Sequence, residues 1–161
     1  MTILKKHNWL SITANPLNMQ TPSHTTTILL IDPNDDDRRL WTERLKMFLE
    51  NYDICEAKSG EGGLAICKSK RVDCVVMELH LPDMSGFQVL LRLNPIVRTI
   101  QMPVVVLSHL ILPSIVTAAK RLGAQAYLIK SQAAPDELVH EIKNAIAKVA
   151  PPRMKLRVSN V

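Results

Sequence analysis

Hydrophobic residues in this chain occur as short continuous runs that alternate with stretches of helical periodicity. The run from Val72 to Pro82 is rich in valine and is bounded by charge and by proline. Such a run is typical of a strand that is buried on both faces, in the middle of a parallel sheet. Glu78 lies at the carboxyl end of this predicted strand. Similar patterns predict four more strands, at Thr27–Ile31, Tyr52–Ala57, Val104–Ser108 and Ala126–Lys130.

Helical patterns separate these strands. Asn34 is a favourable N-cap for a first helix, predicted to run to about Glu50, because three aspartates follow it where the helix dipole favours negative charge. The remaining helices are predicted at Gly60–Ser69, from Phe87 to about Leu93, from Pro113 to a cap at Gly123, and from Pro135 to the Pro151-Pro152 pair. The order βαβαβαβαβα predicts an α/β fold: a five-stranded parallel sheet in a doubly wound, flavodoxin-like (βα)5 arrangement, with helices on both faces.

The alternation of predicted strands and helices covers residues 27–149, and the two ends of the chain lie outside it. Residues 1–26 show no sustained periodicity and are predicted to form a flexible arm, in which Trp9 and Leu10 could provide a short anchor. Residues 150–161 form a basic tail. The net charge of +5 comes from these ends, since residues 28–149 hold 15 basic and 15 acidic residues. The sequence therefore offers no basic binding face on the domain itself.

Several classes of protein are disfavoured by the composition. No apolar run approaches the roughly 18 residues of a membrane span, and the first residues lack the apolar stretch of a signal peptide. The three cysteines, Cys55, Cys67 and Cys74, show no C-x-x-C spacing, which favours reduced thiols in a cytoplasmic protein without a zinc site. No glycine-rich nucleotide-binding motif is present.

Polar residues stand at the ends of four predicted strands. Asp32, Glu78, Ser108 and Lys130 each end or follow one of them. Because the carboxyl ends of parallel strands meet at one edge of a sheet, these four side chains are expected to share a pocket. A carboxylate buried there without a partner would cost several kcal/mol, so Glu78 is either functional or paired.

Motifs along the body resemble the receiver domain of two-component response regulators, the CheY-like family, over nearly all of residues 27–149. The matching features are ILLID at 28–32, Arg38-x-x-Trp41, Ala57-x-x-Gly60, LPDMSG at 81–86, PVVVLS at 103–108, LGA at 122–124 and YLIK at 127–130. The resemblance implies that two acids after the first strand bind Mg²⁺ and that an aspartate after the third strand accepts phosphate from a histidine kinase. A hydroxyl and a lysine then contact the phosphoryl group, and the change is relayed to the face of the fourth helix, fifth strand and fifth helix.

Only part of that chemistry matches this sequence. Under the resemblance, Asp32 stands at the first acid, Ser108 at the hydroxyl, Lys130 at the lysine and Tyr127 at the switch aromatic. An ordinary half-buried role for Tyr127 is an equally open interpretation.

Four positions depart from the family pattern. Pro33 replaces the second acid, Glu78 the phosphoacceptor aspartate, His109 a small residue and Ser131 a proline. A proline side chain cannot bind a metal, so weak or absent Mg²⁺ binding is expected, and we predict no bound cofactor. Glu78 is also one methylene longer than aspartate, which displaces it as a nucleophile.

Weak metal candidates remain. They are Asp32, Glu78 and a backbone carbonyl near His80, while His80 and His109 lack a third ligand. The three acids Asp35, Asp36 and Asp37 could supply a substitute ligand, but helix N-terminal charge explains them more simply.

These changes favour an atypical pseudo-receiver, not an enzyme, that acts alone as a protein-interaction module. Glu78 is expected to reach Lys130 and Ser108, either as a built-in imitation of phosphate or as a structural ion pair. The expected partner is a histidine kinase or another signalling protein. The interaction face is expected to be that of the fourth helix, fifth strand and fifth helix, near exposed Ile111 and Leu112, for either a homodimer or a partner protein. The alternatives are a working phosphoacceptor in a phosphorelay and a nucleic-acid adaptor that uses the basic ends. We expect no membrane association.

Overall fold

The computed structural model describes residues 25–95 and 101–149. The predicted basic tail at 150–161 and nearly all of the predicted arm lie outside the described residues. The five strands are β1 (Thr26–Ile31), β2 (Tyr52–Ala57), β3 (Cys74–Met77), β4 (Val104–Ser108) and β5 (Ala126–Ile129). The five helices are α1 (Asp35–Phe48), α2 (Gly60–Ser69), α3 (Gly86–Leu93), α4 (Pro113–Arg121) and α5 (Pro135–Val149). Every predicted element is present, in the predicted order.

The strands form one parallel sheet in the order β2-β1-β3-β4-β5. Strand β3 therefore lies in the middle, and all four of its residues are buried. The strand order changes direction between β1 and β3, because β2 lies on one side of β1 and β3, β4 and β5 lie on the other. Open α/β sheets bind ligands beyond the strand ends at such a switch point. Asp32 and Glu78 follow the two strands that meet there.

The two faces of the sheet carry separate hydrophobic cores. Alternate strand residues such as Leu30, Val76 and Val105 pack against Trp41 and Leu138 of α1 and α5. The other set, which includes Leu29, Val75 and Val106, packs against α2, α3 and α4 through residues such as Leu64, Val89 and Ala119. This doubly covered sheet explains why its strands are continuous apolar runs. No helix of the described residues is long and apolar enough to cross a bilayer.

Helix ends follow the predicted caps. The Asn34 side chain accepts hydrogen bonds from the N–H groups of Asp36 and Asp37, at 2.9 and 3.1 Å. Gly123 has a φ of 102°, in the left-handed region that glycine adopts without strain after a helix. Helix α1 ends two residues earlier than predicted, and Asn51, at φ 61°, turns the chain into β2. β1 begins one residue early, because Thr26 pairs with Tyr52.

The β3–α3 loop, residues 78–85, is fixed at both ends. Asp83 accepts hydrogen bonds from the N–H groups of Gly60 and Glu61, at 2.9 and 2.8 Å, and so caps α2 from outside that helix. The Gly86 N–H donates to the Leu79 carbonyl over 2.9 Å. A Cβ atom at Gly86 would lie 2.6 Å from the Cα atom of Leu79, so only glycine fits where α3 meets the loop.

We predict that Gly86→Ala lowers the free energy of unfolding by about 1–3 kcal/mol, because the added methyl group meets backbone that cannot rotate away. The matched control is Gly62→Ala in α2, where the nearest atom to a new Cβ is the Ser59 hydroxyl at 3.1 Å. The control variant should change by less than about 1 kcal/mol, the scale of the helix-propensity difference. Urea unfolding followed by circular dichroism measures both, and equal stability of the two variants would contradict the close packing at Gly86.

Candidate functional site: a buried carboxylate cluster at the strand ends

The ends of the strands bring the four predicted residues together. Asp32, Glu78, Ser108 and Lys130 are all buried and lie along the carboxyl edge of β1, β3, β4 and β5. A cavity of about 390 Å³ opens beside them. Its lining is Asp32, Pro33, Asn34, Asp37, Glu78, His80, His109, Leu110 and Lys130. The structure thus brings the four strand-end residues together: three of them line the cavity, and Ser108 contacts it through its hydrogen bond to Glu78.

The carboxylate of Glu78 is surrounded by donors. Its Oε1 atom accepts hydrogen bonds from the N–H groups of Leu79 and His80, at 2.6 and 3.2 Å, and from the Ser108 hydroxyl. Its Oε2 atom accepts from the His109 N–H over 3.2 Å and lies 3.2 Å from the Lys130 ammonium. Three backbone groups, one hydroxyl and one cation thus form an anion site that the protein's own side chain fills. Glu78 is only 5% exposed.

The Lys130 ammonium contacts three carboxylates. Its Nζ atom lies 2.5 Å from Asp32 Oδ2, 2.9 Å from Asp37 Oδ2 and 3.2 Å from Glu78 Oε2. The expected pair of Glu78 and Lys130 is present, but the two aspartates are nearer. Lys130 is therefore the common counter-charge for carboxylates from β1, α1 and β3.

The pKa values of these groups reflect a competition between burial, which disfavours the charged form, and the charged and hydrogen-bonding partners, which favour it. Burial alone would raise the pKa of Glu78, but the Ser108 hydroxyl, the Lys130 charge and the N–H groups outweigh it and lower that pKa. Burial would lower the pKa of Lys130, yet the hydrogen bonds to Asp32 and Asp37 raise it. For Asp32 burial prevails and raises the pKa. At neutral pH the cluster holds an ammonium and a carboxylate at Glu78.

Asp37 is the site residue that sequence reasoning missed. The sequence offers Asp37 as one of three substitute metal ligands and favours a role at the negative start of α1, whereas its carboxylate contacts both Lys130 and the His109 ring, the latter at 3.0 Å. Burial opposes its ionisation, but these two partners lower the pKa of Asp37. Helical position places Asp37 in the first turn of α1, close to the strand ends, but it does not distinguish this residue from Asp35 and Asp36 in the same turn.

Arg38 fixes the backbone beneath the pocket. The guanidinium is buried and donates to the Asp32 carbonyl over 2.8 Å and to Glu56 over 2.9 Å. The Asp32 side chain accepts from the Asn34 N–H over 2.9 Å, so the turn through Pro33 is held on both sides. Arg38 therefore fixes the Asp32 backbone, which positions the Asp32 side chain against Lys130, although Arg38 itself does not line the cavity.

The donor atoms do not fit Mg²⁺. Pro33 contributes no ligand. The nearest oxygens of Asp32 and Asp37 bind the Lys130 ammonium, which takes the place between the carboxylates that a metal cation would need. No group of three His, Cys, Asp or Glu side chains within residues 25–95 and 101–149 could hold a metal ion. His80 contributes its N–H to Glu78 and is otherwise exposed. Weak or absent Mg²⁺ binding stays a prediction.

A chain of contacts leads from Glu78 to the surface. Ser108 Oγ, which donates to Glu78, also accepts from the Leu110 N–H over 3.2 Å. The Tyr127 hydroxyl donates to the Leu110 carbonyl over 2.8 Å, and the ring is half-buried. The next residues, Ile111 and Leu112, are 62% and 57% exposed, as the sequence predicted. One short segment thus links the carboxylate, the aromatic ring and an apolar surface.

Comparisons with known proteins agree on one family. The family model of the response regulator receiver domain matches residues 28–143. The transcriptional regulatory protein AfsQ1 of Streptomyces coelicolor is 31% identical over 104 residues, which are 65% of this chain and 44% of that protein. The transcriptional regulatory protein GlrR of Escherichia coli is 30% identical over 131 residues, 81% of this chain and 28% of that protein. This chain thus spans less than half the length of these relatives.

Solved structures share the fold. A response regulator receiver domain protein from Clostridium thermocellum superimposes with a TM-score of 0.66 at 26% identity, over 76% of this chain and 95% of that one. The chemotaxis response regulator CheY4 of Vibrio cholerae gives a TM-score of 0.65 at 21% identity, over 75% and 98% of the two chains. The predicted flavodoxin-like sheet is confirmed.

We predict that Lys130→Met destabilises the protein by about 3–5 kcal/mol at neutral pH, because it leaves buried carboxylates without their counter-charge. The lowered pKa values of Asp37 and Glu78 mean that both stabilise the fold above their unfolded-state values and lose this contribution as the pH falls. In the variant both groups protonate more readily. The deficit relative to wild type should therefore be largest near pH 7 and shrink toward about pH 4.

Urea unfolding at both pH values measures this difference. Lys58→Met is the matched control, because Lys58 is exposed and pairs with Asp35 on the surface at 2.9 Å. Its loss should be much smaller and nearly independent of pH. A Lys130→Met deficit that stays constant with pH would show that lost packing, not lost charge, destabilises the variant.

Proposed function

We propose that this chain, which belongs to the family of response regulator receiver domains, signals through protein contacts without being phosphorylated. Receiver domains are signalling modules of two-component systems. The observation that carries the proposal is the set of five groups around the Glu78 carboxylate. In the proposed role, Glu78 supplies the negative charge that a phosphoryl group supplies in other receivers.

Space and charge in the pocket favour this role over phosphate transfer. An incoming phosphoryl group would need Ser108 and Lys130, and Glu78 already binds both. The Lys130 ammonium is shared with Asp32 and Asp37, so this cation is not free to neutralise a second anion. His109 lines the cavity, and its ring contacts Asp37. The nucleophilic oxygens of Glu78 are thus bound to donors and poorly placed to attack.

The proposed output is the surface of α4, β5 and α5. Ser108 and Leu110 join Glu78 to the Tyr127 hydroxyl, and this holds the segment that leads into α4. Ala119 of α4 is fully buried against the sheet, and half-buried Ile115 packs against the same core. Exposed Ile111 and Leu112 at the start of α4 provide an apolar contact for a protein partner or a second copy.

We predict that wild type gains no phosphate from acetyl phosphate and Mg²⁺, as measured by intact mass. A mass increase of one phosphate that disappears in Glu78→Gln would refute the proposal and favour a working phosphoacceptor. The double variant Pro33→Asp with Glu78→Asp is the positive control, since it restores both acids and shortens the nucleophile by about 1.5 Å. Partial phosphorylation of that double variant would show that the assay detects a competent pocket.

We predict that Glu78→Gln weakens association with a partner or a second copy at least about tenfold, near 1.4 kcal/mol. The amide has nearly the same shape, but its NH2 group would face the Lys130 ammonium or the surrounding N–H groups. Sedimentation or partner titration measures the change, with circular dichroism to confirm folding. Glu61→Gln in α2 is the control for an exposed glutamate. Unchanged association in a folded Glu78→Gln protein would reduce Glu78 to a structural residue.

A further inference from the structure

The outer face of α1 presents a row of exposed apolar side chains. Leu40, Met47 and Phe48 are 41%, 79% and 48% exposed, and they make up half of the large exposed hydrophobic residues in the described part of the chain. Leu40 and Met47 lie two helical turns apart on one face, and Phe48, eight residues after Leu40, lies at the edge of that face, with half-buried Arg44 between them. Scattered surface hydrophobics are ordinary, but three on one helix face form a patch. We call these three residues the α1 patch.

The α1 patch is close to the point where the first residues of the chain join the domain. Thr26 starts β1 and pairs with Tyr52 at the start of β2, and Tyr52 comes four residues after Phe48. The segment before Thr25 therefore meets the domain beside the Met47 end of α1. That segment contains an aromatic and aliphatic pair, Trp9-Leu10.

Length and charge also fit this pairing. About 15 residues separate Leu10 from Thr25, and at roughly 3.3 Å per residue they span the length of α1, about 21 Å, with chain to spare. The segment carries Lys5 and Lys6 and no acid. Glu50 lies two residues after the end of α1, is exposed and forms no ion pair with the described residues. A basic segment would thus meet an unpaired acid at the end of the apolar patch.

We propose that residues 1–24 dock back on the domain, with Trp9 and Leu10 on the α1 patch and Lys5 and Lys6 near Glu50. A tryptophan buries on the order of 150–250 Å² of surface, which suits a patch of three large side chains. The tether makes the contact intramolecular, with an effective concentration on the order of millimolar, so a weak contact is still well populated. This docking covers α1 and leaves the α4 surface free.

The test uses tryptophan fluorescence. The chain has two tryptophans, Trp9 and buried Trp41, so Trp41→Phe leaves Trp9 as the single reporter. Docking predicts a blue-shifted Trp9 that acrylamide quenches several-fold more slowly in the folded protein than in urea. Phe48→Asp, added to this background, should release Trp9 and remove the protection. Leu91→Asp is the matched control, because Leu91 is similarly exposed, at 45%, and lies on α3 across the sheet.

Several results would overturn the proposal. One is a Trp9 that is equally quenched in folded and unfolded protein; another is equal loss of protection in the Leu91 control. Protection that disappears on dilution would assign the patch to a second copy instead. Should Trp41→Phe fail to fold, amide chemical shifts of wild type and Trp9→Ala replace the fluorescence test. Docking then requires shift changes along residues 40–53 and none along α3.

Discussion

One buried ammonium holds the functional edge of this domain together. Lys130 leaves β5 and binds carboxylates that come from β1, α1 and β3, and none of these groups could stay charged inside the protein alone. The parallel sheet makes this possible, because its strand ends converge on one edge. Asp37 adds a contact from the first turn of α1. The cation thus connects the helix to three strands that are distant in sequence.

Three carboxylates around one ammonium leave an excess of negative charge, and backbone N–H groups absorb it. Leu79, His80 and His109 each direct an N–H at Glu78, and Asn34 directs one at Asp32. No buried side-chain nitrogen or oxygen in the described part of the chain lacks a hydrogen-bond partner. The buried polar side chains of the pocket therefore find their hydrogen-bond partners within the protein itself. A metal or a phosphoryl group would first have to displace one of these contacts.

The sequence predicted the architecture and the four strand-end residues because both follow from local patterns and from parallel topology. Runs of valine and leucine mark strands covered on both faces, and each polar residue at the end of such a run has to emerge at the same edge. Asp37 and Arg38 were harder to assign. Their neighbours Asp35 and Asp36 fit the helix dipole equally well, and nothing in sequence spacing tells which of three adjacent acids turns toward Lys130. Only the helix orientation, fixed by Trp41 and Leu45 in the core, decides it.

A carboxylate that belongs to the chain differs from a phosphoryl group in one consequence for signalling: hydrolysis cannot remove it. Under the proposed function, the segment Ser108–Leu110 and Tyr127 stay in one arrangement as long as Glu78 is ionised, and its lowered pKa keeps it so at neutral pH. A partner can then change the equilibrium only through its own differential affinity for the α4 surface. Regulation must come from the partner's abundance or from another contact on the domain. A fixed pocket is thus compatible with a regulated protein.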